Sequence, residues 1–438
     1  MDTYLVSGGQ RLSGSVRVHG AKNSVLPILA ATVLARGQSV IHNCPALRDV
    51  FAMVEILECL GCTVRYEAGT MLVDARQLND CQIPDCLMQG MRSSVLLLGP
   101  LLVRSGQAVM CAPGGCALGE RPIDLHIMGL TELGAHIMQE GETLFCRAGT
   151  LRGCRIVLDF PSVGATENAM LAAVGAEGVT VISNAAREPE IVDLQDFLRA
   201  MGAKIWGAGS GSVVIEGGTP LHAAEYRVMP DRIVTATYLA AVAAAGGEAE
   251  LLGADYRTCA PVIAALAEAG CQIQSTNDSI SIRRIEPLRA VRPIYTGPHP
   301  GFPTDAQPML MAALCAAAGE TQFVETIFEN RFSHVEGLRD MGAEITVDGL
   351  RVTVCGVSAL RAAEVTARDL RGGAALVVAA LAADGKSEIH GLTHIDRGYE
   401  RLEENLRLLG ANISRRYAAE DLAASIPLRD QRLFRKVF

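Results

Sequence analysis

The segment Leu/Met/Ala-Gly-Ala/Cys-x-Ile/Val occurs six times along the chain, and a sixfold internal repeat limits the choice of fold more than any other feature. Its copies begin at Leu60-Gly61-Cys62, Leu133-Gly134-Ala135, Met201-Gly202-Ala203, Ala269-Gly270-Cys271, Met341-Gly342-Ala343 and Leu409-Gly410-Ala411, with successive glycines 68 to 73 residues apart. A second series interleaves at Gly37, Gly106, Gly178, Gly247, Gly319 and Gly385. Each of these follows an Ala-, Leu- and Val-rich stretch and precedes a short strand-like run such as Gln38 to His42. A glycine after an apolar helical pattern reads as a C-cap, because the left-handed conformation costs it nothing. The alternating run after it reads as a strand. Each unit of about 70 residues is then helix–strand–helix–strand with hairpin additions. The Ala-rich helices of the second series carry few charges, so burial with sheets packed around them is expected. At 438 residues the chain exceeds one compact core, and the natural grouping is two domains of three units.

Counting back from the glycines reaches the other end of each helix. About 14 residues before the second series, on the order of 21 Å of helix, stand Lys22, Arg92, Gly164, Arg232, Asp305 and Arg371. Before the first series stand Arg48, Arg121, Arg187, Arg257, Arg331 and Arg397. The helix dipole disfavours cations at N-termini. An anion bound by both the amides and the side chains accounts for the set better than arginines on solvated loops, although the latter suits any single one. The formal net charge is −9 and no run of Lys or Arg resembles a phosphate-tracking stripe, which argues against a nucleic-acid binder. No leader-like apolar segment opens the chain, and no apolar run is long enough to span a bilayer. Thirteen cysteines without framework spacing point to a reduced, cytoplasmic setting. The pair Cys59 and Cys62 lacks a second pair and reads as helix-end packing.

The loop Pro113-Gly114-Gly115-Cys116-Ala117-Leu118-Gly119-Glu120-Arg121-Pro122 is glycine-rich, as a lid would be. A thiol near Arg121 would have a lowered pKa and could serve as acid or nucleophile, while an incidental loop thiol fits the same residues equally well. Asp305 suits a helix N-cap as readily as a catalytic base. Asp369 reads as an orienter of Arg371, and His126 as support for neighbouring side chains rather than a catalyst. Gly385-Lys386-Ser387 fails as a phosphate loop because Ala380 stands where the first glycine belongs. Gly207 to Ser212 reads as a hairpin turn.

The stretch Gly-Gly-Cys-x-x-Gly-x-Arg-Pro-x-Asp-Leu-His, from Gly114 to His126, resembles the signature of the UDP-N-acetylglucosamine enolpyruvyl transferases. So do Gly20-Ala21-Lys22-Asn23, Met91-Arg92-Ser93-Ser94, Ser162-Val163-Gly164-Ala165-Thr166, Ala186-Arg187-Glu188-Pro189-Glu190 and Pro230-Asp231-Arg232-Ile233. Phe302-Pro303-Thr304-Asp305, Phe328-Glu329-Asn330-Arg331-Phe332, Asp369-Leu370-Arg371 and His394-Ile395-Asp396-Arg397-Gly398-Tyr399-Glu400 extend the resemblance to about residue 414.

The resemblance implies an α/β (α+β) fold of two inside-out, barrel-like α/β domains of three pseudo-repeated units each, with the active site in the interdomain cleft. One domain would span 19–229. The other would join 1–18 to 230–414, leaving 415–438 as a C-terminal extension. The implied reaction joins the enolpyruvyl group of phosphoenolpyruvate to the 3′-hydroxyl of UDP-N-acetylglucosamine, at the start of peptidoglycan precursor synthesis, with no cofactor and no metal. Implied partners are those two small molecules, without nucleic acid or membrane insertion. Lys22, Arg121 and Arg397 resemble the residues that hold phosphoenolpyruvate, with Arg331 and Arg371 as further cations and Asn23 bonding the tetrahedral intermediate. Asp305 resembles the base that takes the hydroxyl proton, and Cys116 the acid that protonates C3 and that epoxide inhibitors alkylate. The nucleotide would lie over Arg121, Pro122, Ile123, Asp124 and Leu125, with Arg92, the backbone of Ser162, Val163 and Gly164, and Ile327 completing its pocket. Phe160, Val234 and Ala236 depart from the family pattern. The rival acceptor is shikimate 3-phosphate, and the rival of another class is a non-catalytic UDP-sugar binder.

Overall fold

Every copy of the first repeat ends a helix in the same way. In the computed structural model, which describes residues 2–111 and 122–417, each repeat glycine follows the C-cap of a helix, and the next residue bonds five positions back. Cys62 N–H donates to Leu57 O at 2.9 Å, and Ala135, Ala203, Cys271, Ala343 and Ala411 make the equivalent bond at 2.9–3.0 Å. This is a Schellman closure, which needs the positive φ that glycine supplies. The second series behaves differently. Gly106 does cap a helix in the left-handed region at φ 72°, but Gly178 and Gly247 are the first residues of strands. Gly37, Gly319 and Gly385 immediately precede strands. Gly37 lacks the positive φ of the others. It is glycine for space, since a Cβ there would come within 2.7 Å of Ala223 Cβ.

The strands form six small sheets, one per repeat. In most of them a strand after a second-series glycine pairs parallel with one neighbour and antiparallel with the next. Gly247–Leu252, for example, lies parallel to Leu12–Arg17 and antiparallel to Ser279–Arg284. The sheet of Gln107–Cys111 has three strands, and an isolated parallel bridge between Gln82 and Val109 stands where the fourth would be. The segment Gly207 to Ser212 joins Lys204–Trp206 to Ser212–Gly217 as an antiparallel turn.

The chain divides into two units, residues 20–111 with 122–229, and residues 2–19 with 230–417. Each has its own apolar cluster. In the second unit the helices Arg232–Ala245, Gln307–Leu314 and Leu370–Ala382 pack on one another and are buried along almost their whole length. In the first, Lys22–Ala31, Leu98–Ser105 and Val163–Ala173 are buried likewise. A helix that is apolar all round must be enclosed on every side, and three sheets surround each trio. The remaining helices bury one face. Arg48–Cys59 turns Val50, Met53, Val54, Ile56 and Leu57 inward.

One boundary changes. Arg415 and Arg416, placed in a C-terminal extension by the sequence, belong to the strand Asn412–Arg416, which pairs antiparallel with Thr3–Ser7 from the other end of the chain. Pairing so distant in sequence leaves no local signal. Of the rest of that extension, Tyr417 is exposed and residues 418–438 lie outside the described residues.

Leu376, 1% exposed, sits within the trio of the second unit. Leu376→Ala should lower stability by about 2–5 kcal/mol, read as a lower denaturant midpoint. An unchanged midpoint would mean that the trio is not the core of that unit.

Candidate functional site

The helix starts counted from the sequence are where side chains with chemistry collect. Lys22, Arg48 and Arg232 are the first residues of their helices and Arg92 the first of a 3-10 turn, while Arg257 and Arg371 are second in theirs. Arg187, Arg331 and Arg397 fall instead in the loops ahead of a helix. Arg48 is exposed, and the exposed Arg257 is paired with Asp255 at 2.8 Å, so these two are ordinary solvated arginines.

In residues 230–417 the cluster centres on Asp305. Its carboxylate does not cap a helix, because the cap of Gln307–Leu314 is Ala306 and has no side-chain bond. One Asp305 oxygen accepts from Arg331 Nη2 at 2.8 Å and the other from Arg371 Nε at 3.1 Å. Both guanidiniums are buried, at 1% and 3% exposure. Burial opposes the charge of Arg371, but Asp305, Tyr399 and Asp231 together outweigh burial, so its pKa lies above the usual arginine value. Its Cζ lies 5.5 Å from the centre of the Tyr399 ring, and its buried Nη1 has no hydrogen-bond partner. Arg331 also donates to the Thr304 carbonyl from Nε and Nη2, at 3.1 and 3.0 Å. Asp369 bonds the backbone amide of Arg371, whose guanidinium is held by Asp305. It caps Leu370–Ala382 by accepting from the Arg371 and Gly372 amides at 3.0 and 2.9 Å, and it holds Ser333 Oγ. Burial alone would raise the Asp369 carboxyl, but the Gly372 amide, the Ser333 hydroxyl and the Arg331 charge act together against it and the net shift is downward. Beneath lies His334, fully enclosed with both ring nitrogens unpartnered, its pKa pushed down to about 4 by burial. Arg397 is half-buried on the turn after Leu392–Ile395.

Ile327 lies in a loop held by a residue that the motifs do not single out. Glu325, 1% exposed, accepts from the amides of Ile327 and Phe328 at 2.8 and 3.2 Å and from Thr304 Oγ1 at 3.0 Å. A charged residue directly after the alternating strand Glu320–Val324 was the available signal.

In residues 20–229, Lys22 is buried, with Nζ 2.7 Å from Asp49. Asn23 follows it, half-buried. Arg92 reaches the Pro122 carbonyl at 3.5 Å, bringing one predicted nucleotide residue to another. Asp124 opens the helix Asp124–Glu132, with Pro122 and Asp124 exposed and Ile123 and Leu125 half-buried. Ser162 is the N-cap of Val163–Ala173, its hydroxyl accepting from the Ala165 amide at 3.4 Å. Gly164 leaves room for His126, since a Cβ there would lie 3.0 Å from the imidazole. His126 Nδ1 faces Asn168 Nδ2 at 3.2 Å. That amide also donates to Val95 O at 3.0 Å, so the imidazole nitrogen must accept and the ring must be neutral. Burial, with the Arg92 charge adding to it, lowers His126 to about 4 accordingly. Cys116 and Arg121 lie outside the described residues. Among the described residues no helix is long and apolar enough to cross a membrane.

The family model for EPSP synthase (3-phosphoshikimate 1-carboxyvinyltransferase) matches residues 6–406. A UDP-N-acetylglucosamine 1-carboxyvinyltransferase 2 from Caldanaerobacter subterraneus is 51% identical over 95% of this chain and 100% of its own length. A UDP-N-acetylglucosamine 1-carboxyvinyltransferase from Magnetococcus marinus is 46% identical over 95% and 99%. Among solved structures, the enolpyruvyl transferase NikO from Streptomyces tendae superposes with a TM-score of 0.87 at 27% identity, covering 95% of this chain and 99% of that one. An EPSP synthase from Acinetobacter baumannii gives 0.76 at 19% identity over 95% and 100%, a likeness of fold alone.

A histidine held neutral when folded, but free to protonate near its ordinary pKa when unfolded, contributes stability above about pH 6.5 that is lost as pH falls through about 4. For His126 that loss is on the order of 3 kcal/mol. His126→Gln should flatten the part of the stability–pH curve between those values, measured by urea unfolding at a series of pH values. An equally steep fall in the variant would place the titrating group elsewhere.

Proposed function

The chain belongs to the EPSP synthase family of enolpyruvyl transferases, and from that membership we propose that it transfers the enolpyruvyl group of phosphoenolpyruvate to the 3′-hydroxyl of UDP-N-acetylglucosamine, releasing phosphate. The choice of acceptor is supported by the relatives at 46–51% identity, whose names carry that substrate. The EPSP synthase structure, at 19%, speaks for the shared fold only. The reaction would supply peptidoglycan precursor synthesis from the cytoplasm.

The observation that carries this reading is the pair of buried guanidiniums on Asp305, one with a free nitrogen. Buried arginines are costly unless paired, and their fork suits the carboxylate and phosphate of phosphoenolpyruvate. Lys22, Arg121 and Arg397 would hold that substrate, with Arg331 and Arg371 adding positive charge where negative charge develops. Arg92, Pro122 to Leu125, the helix start at Ser162 to Gly164, and Ile327 would receive the sugar nucleotide. Asp305 would take the proton of the 3′-hydroxyl as its oxygen adds to C2, while Cys116 gives a proton to C3. Asn23 would bond the tetrahedral adduct. Loss of a proton from C3 and of phosphate from C2 then restores the double bond.

Phosphate release, with UDP-N-acetylglucosamine and 3-phosphoshikimate offered as separate acceptors, tests the proposal. Release is expected with the first alone. Cys116→Ser and Asp305→Ala should each lose about a hundredfold or more in kcat, and Asp305→Ala should still bind the sugar nucleotide by calorimetry. Release with 3-phosphoshikimate alone would reassign the acceptor. No release with either would leave a binding protein.

A further inference from the structure

Glu325 has no part in the chemistry above, yet it is a buried carboxylate with three donors, and such a group is retained at a cost. Its three donors, the amides of Ile327 and Phe328 and the hydroxyl of Thr304, are all neutral. The Thr304 hydroxyl is the only one from outside its own loop. We propose that Glu325 is a positioning residue for Asp305, fixing the turn that carries this base to the loop that carries Ile327 and Phe328.

The geometry makes residue 304 the joint. Its hydroxyl is held by Glu325 Oε2 at 3.0 Å, and its carbonyl by Nε and Nη2 of Arg331 at 3.1 and 3.0 Å. Arg331 Nη2 in turn reaches Asp305 Oδ1 at 2.8 Å. The Phe328 ring lies 5.9 Å from the same guanidinium, and the Phe328 amide is one of the groups Glu325 holds. The carboxylate of Glu325 therefore fixes both the backbone beside Asp305 and the aromatic ring beside its partner arginine. A base has to meet its proton within a few tenths of an ångström, and the Glu325 bond adds to the hold of Arg331 the one tie between this turn's hydroxyl and the facing loop. The inference rests on the proposed function in one respect, that Asp305 takes the substrate proton.

Three variants of the full chain test it. Thr304→Val removes the joint while leaving the Ile327 and Phe328 amides bonded. Its kcat for phosphate release should fall about tenfold or more, with KM for either substrate shifted less than about threefold. Its thermal midpoint should fall by no more than about 5 °C, as for one lost hydrogen bond. Glu325→Ala should lose both turnover and stability. Glu325→Gln keeps an oxygen for the two amides and can donate to Thr304 Oγ1, so it should recover most of the turnover that the alanine variant loses. Unchanged kcat in Thr304→Val, beside an active wild type, would overturn the positioning role and leave the proposed function standing. A glutamine variant as slow as the alanine one would also overturn it, since charge rather than geometry would then matter. A wild type that releases no phosphate would remove the proposed function and this role together.

Discussion

Three helix starts meet in the unit formed by residues 230–417, and the surrounding chemistry is an answer to that meeting. Arg371 at the start of one helix is bonded to Asp305 ahead of a second, and it feels the charge of Asp231, which caps the third. Tyr399, against Arg371, reaches Thr237 on the third helix at 2.8 Å. Aligned helix starts put partial positive charges side by side, and Arg331 and Arg371 add two full ones. Left alone, such an assembly would repel itself. Asp231 and Asp369 offset it as caps, and Asp305 does so by bridging the two guanidiniums. The outcome is a cluster of closely paired charges, two guanidiniums among three carboxylates, inside a chain of net charge −9.

The two units repeat one arrangement away from these ends. His42 contacts Glu225 at 2.8 Å and Thr70 at 3.1 Å, and His390 contacts Glu364 at 2.9 Å and Thr3 at 3.2 Å. The same trio occupies the same strand positions on the outer sheets, with the strand from Thr3 standing where the strand from Thr70 stands. The inner helix starts have diverged instead, carrying Lys22, Arg92 and Gly164 in one unit and Arg232, Asp305 and Arg371 in the other. A repeated scaffold tolerates such change because a first-turn residue scarcely alters helix packing.

The helix starts are legible in the sequence because helix length and cap glycine are both local signals. Lys22, Arg92, Arg232 and Arg371 can be counted back from a glycine with no knowledge of tertiary contacts. What decides between the readings of Asp305 is not local. An aspartate two residues before a helix looks like a cap until Arg331 and Arg371, distant in sequence, take its oxygens. Glu325 is illegible for the same reason, since its role depends on Thr304 lying beside it in space. Gly37 misleads in the opposite sense, as a glycine required by a neighbour's bulk resembles one required by φ. The strand Asn412–Arg416 has the alternating pattern of its kind, but nothing near it announces that its partner is the first strand of the chain.

That last pairing bears on how the molecule can be made. Translation delivers residues in order, and every strand of the three sheets within residues 20–229 is present once Arg227 has emerged. The strand Thr3–Ser7 is synthesised long before its partners Lys386–His390 and Asn412–Arg416. It must therefore wait, unpaired, through most of the ribosome's passage, with Leu12–Arg17 waiting until Gly247–Leu252 appears. An open strand edge is a hazard for association with other chains, so these two early strands need protection until the strands that pair with them have been made.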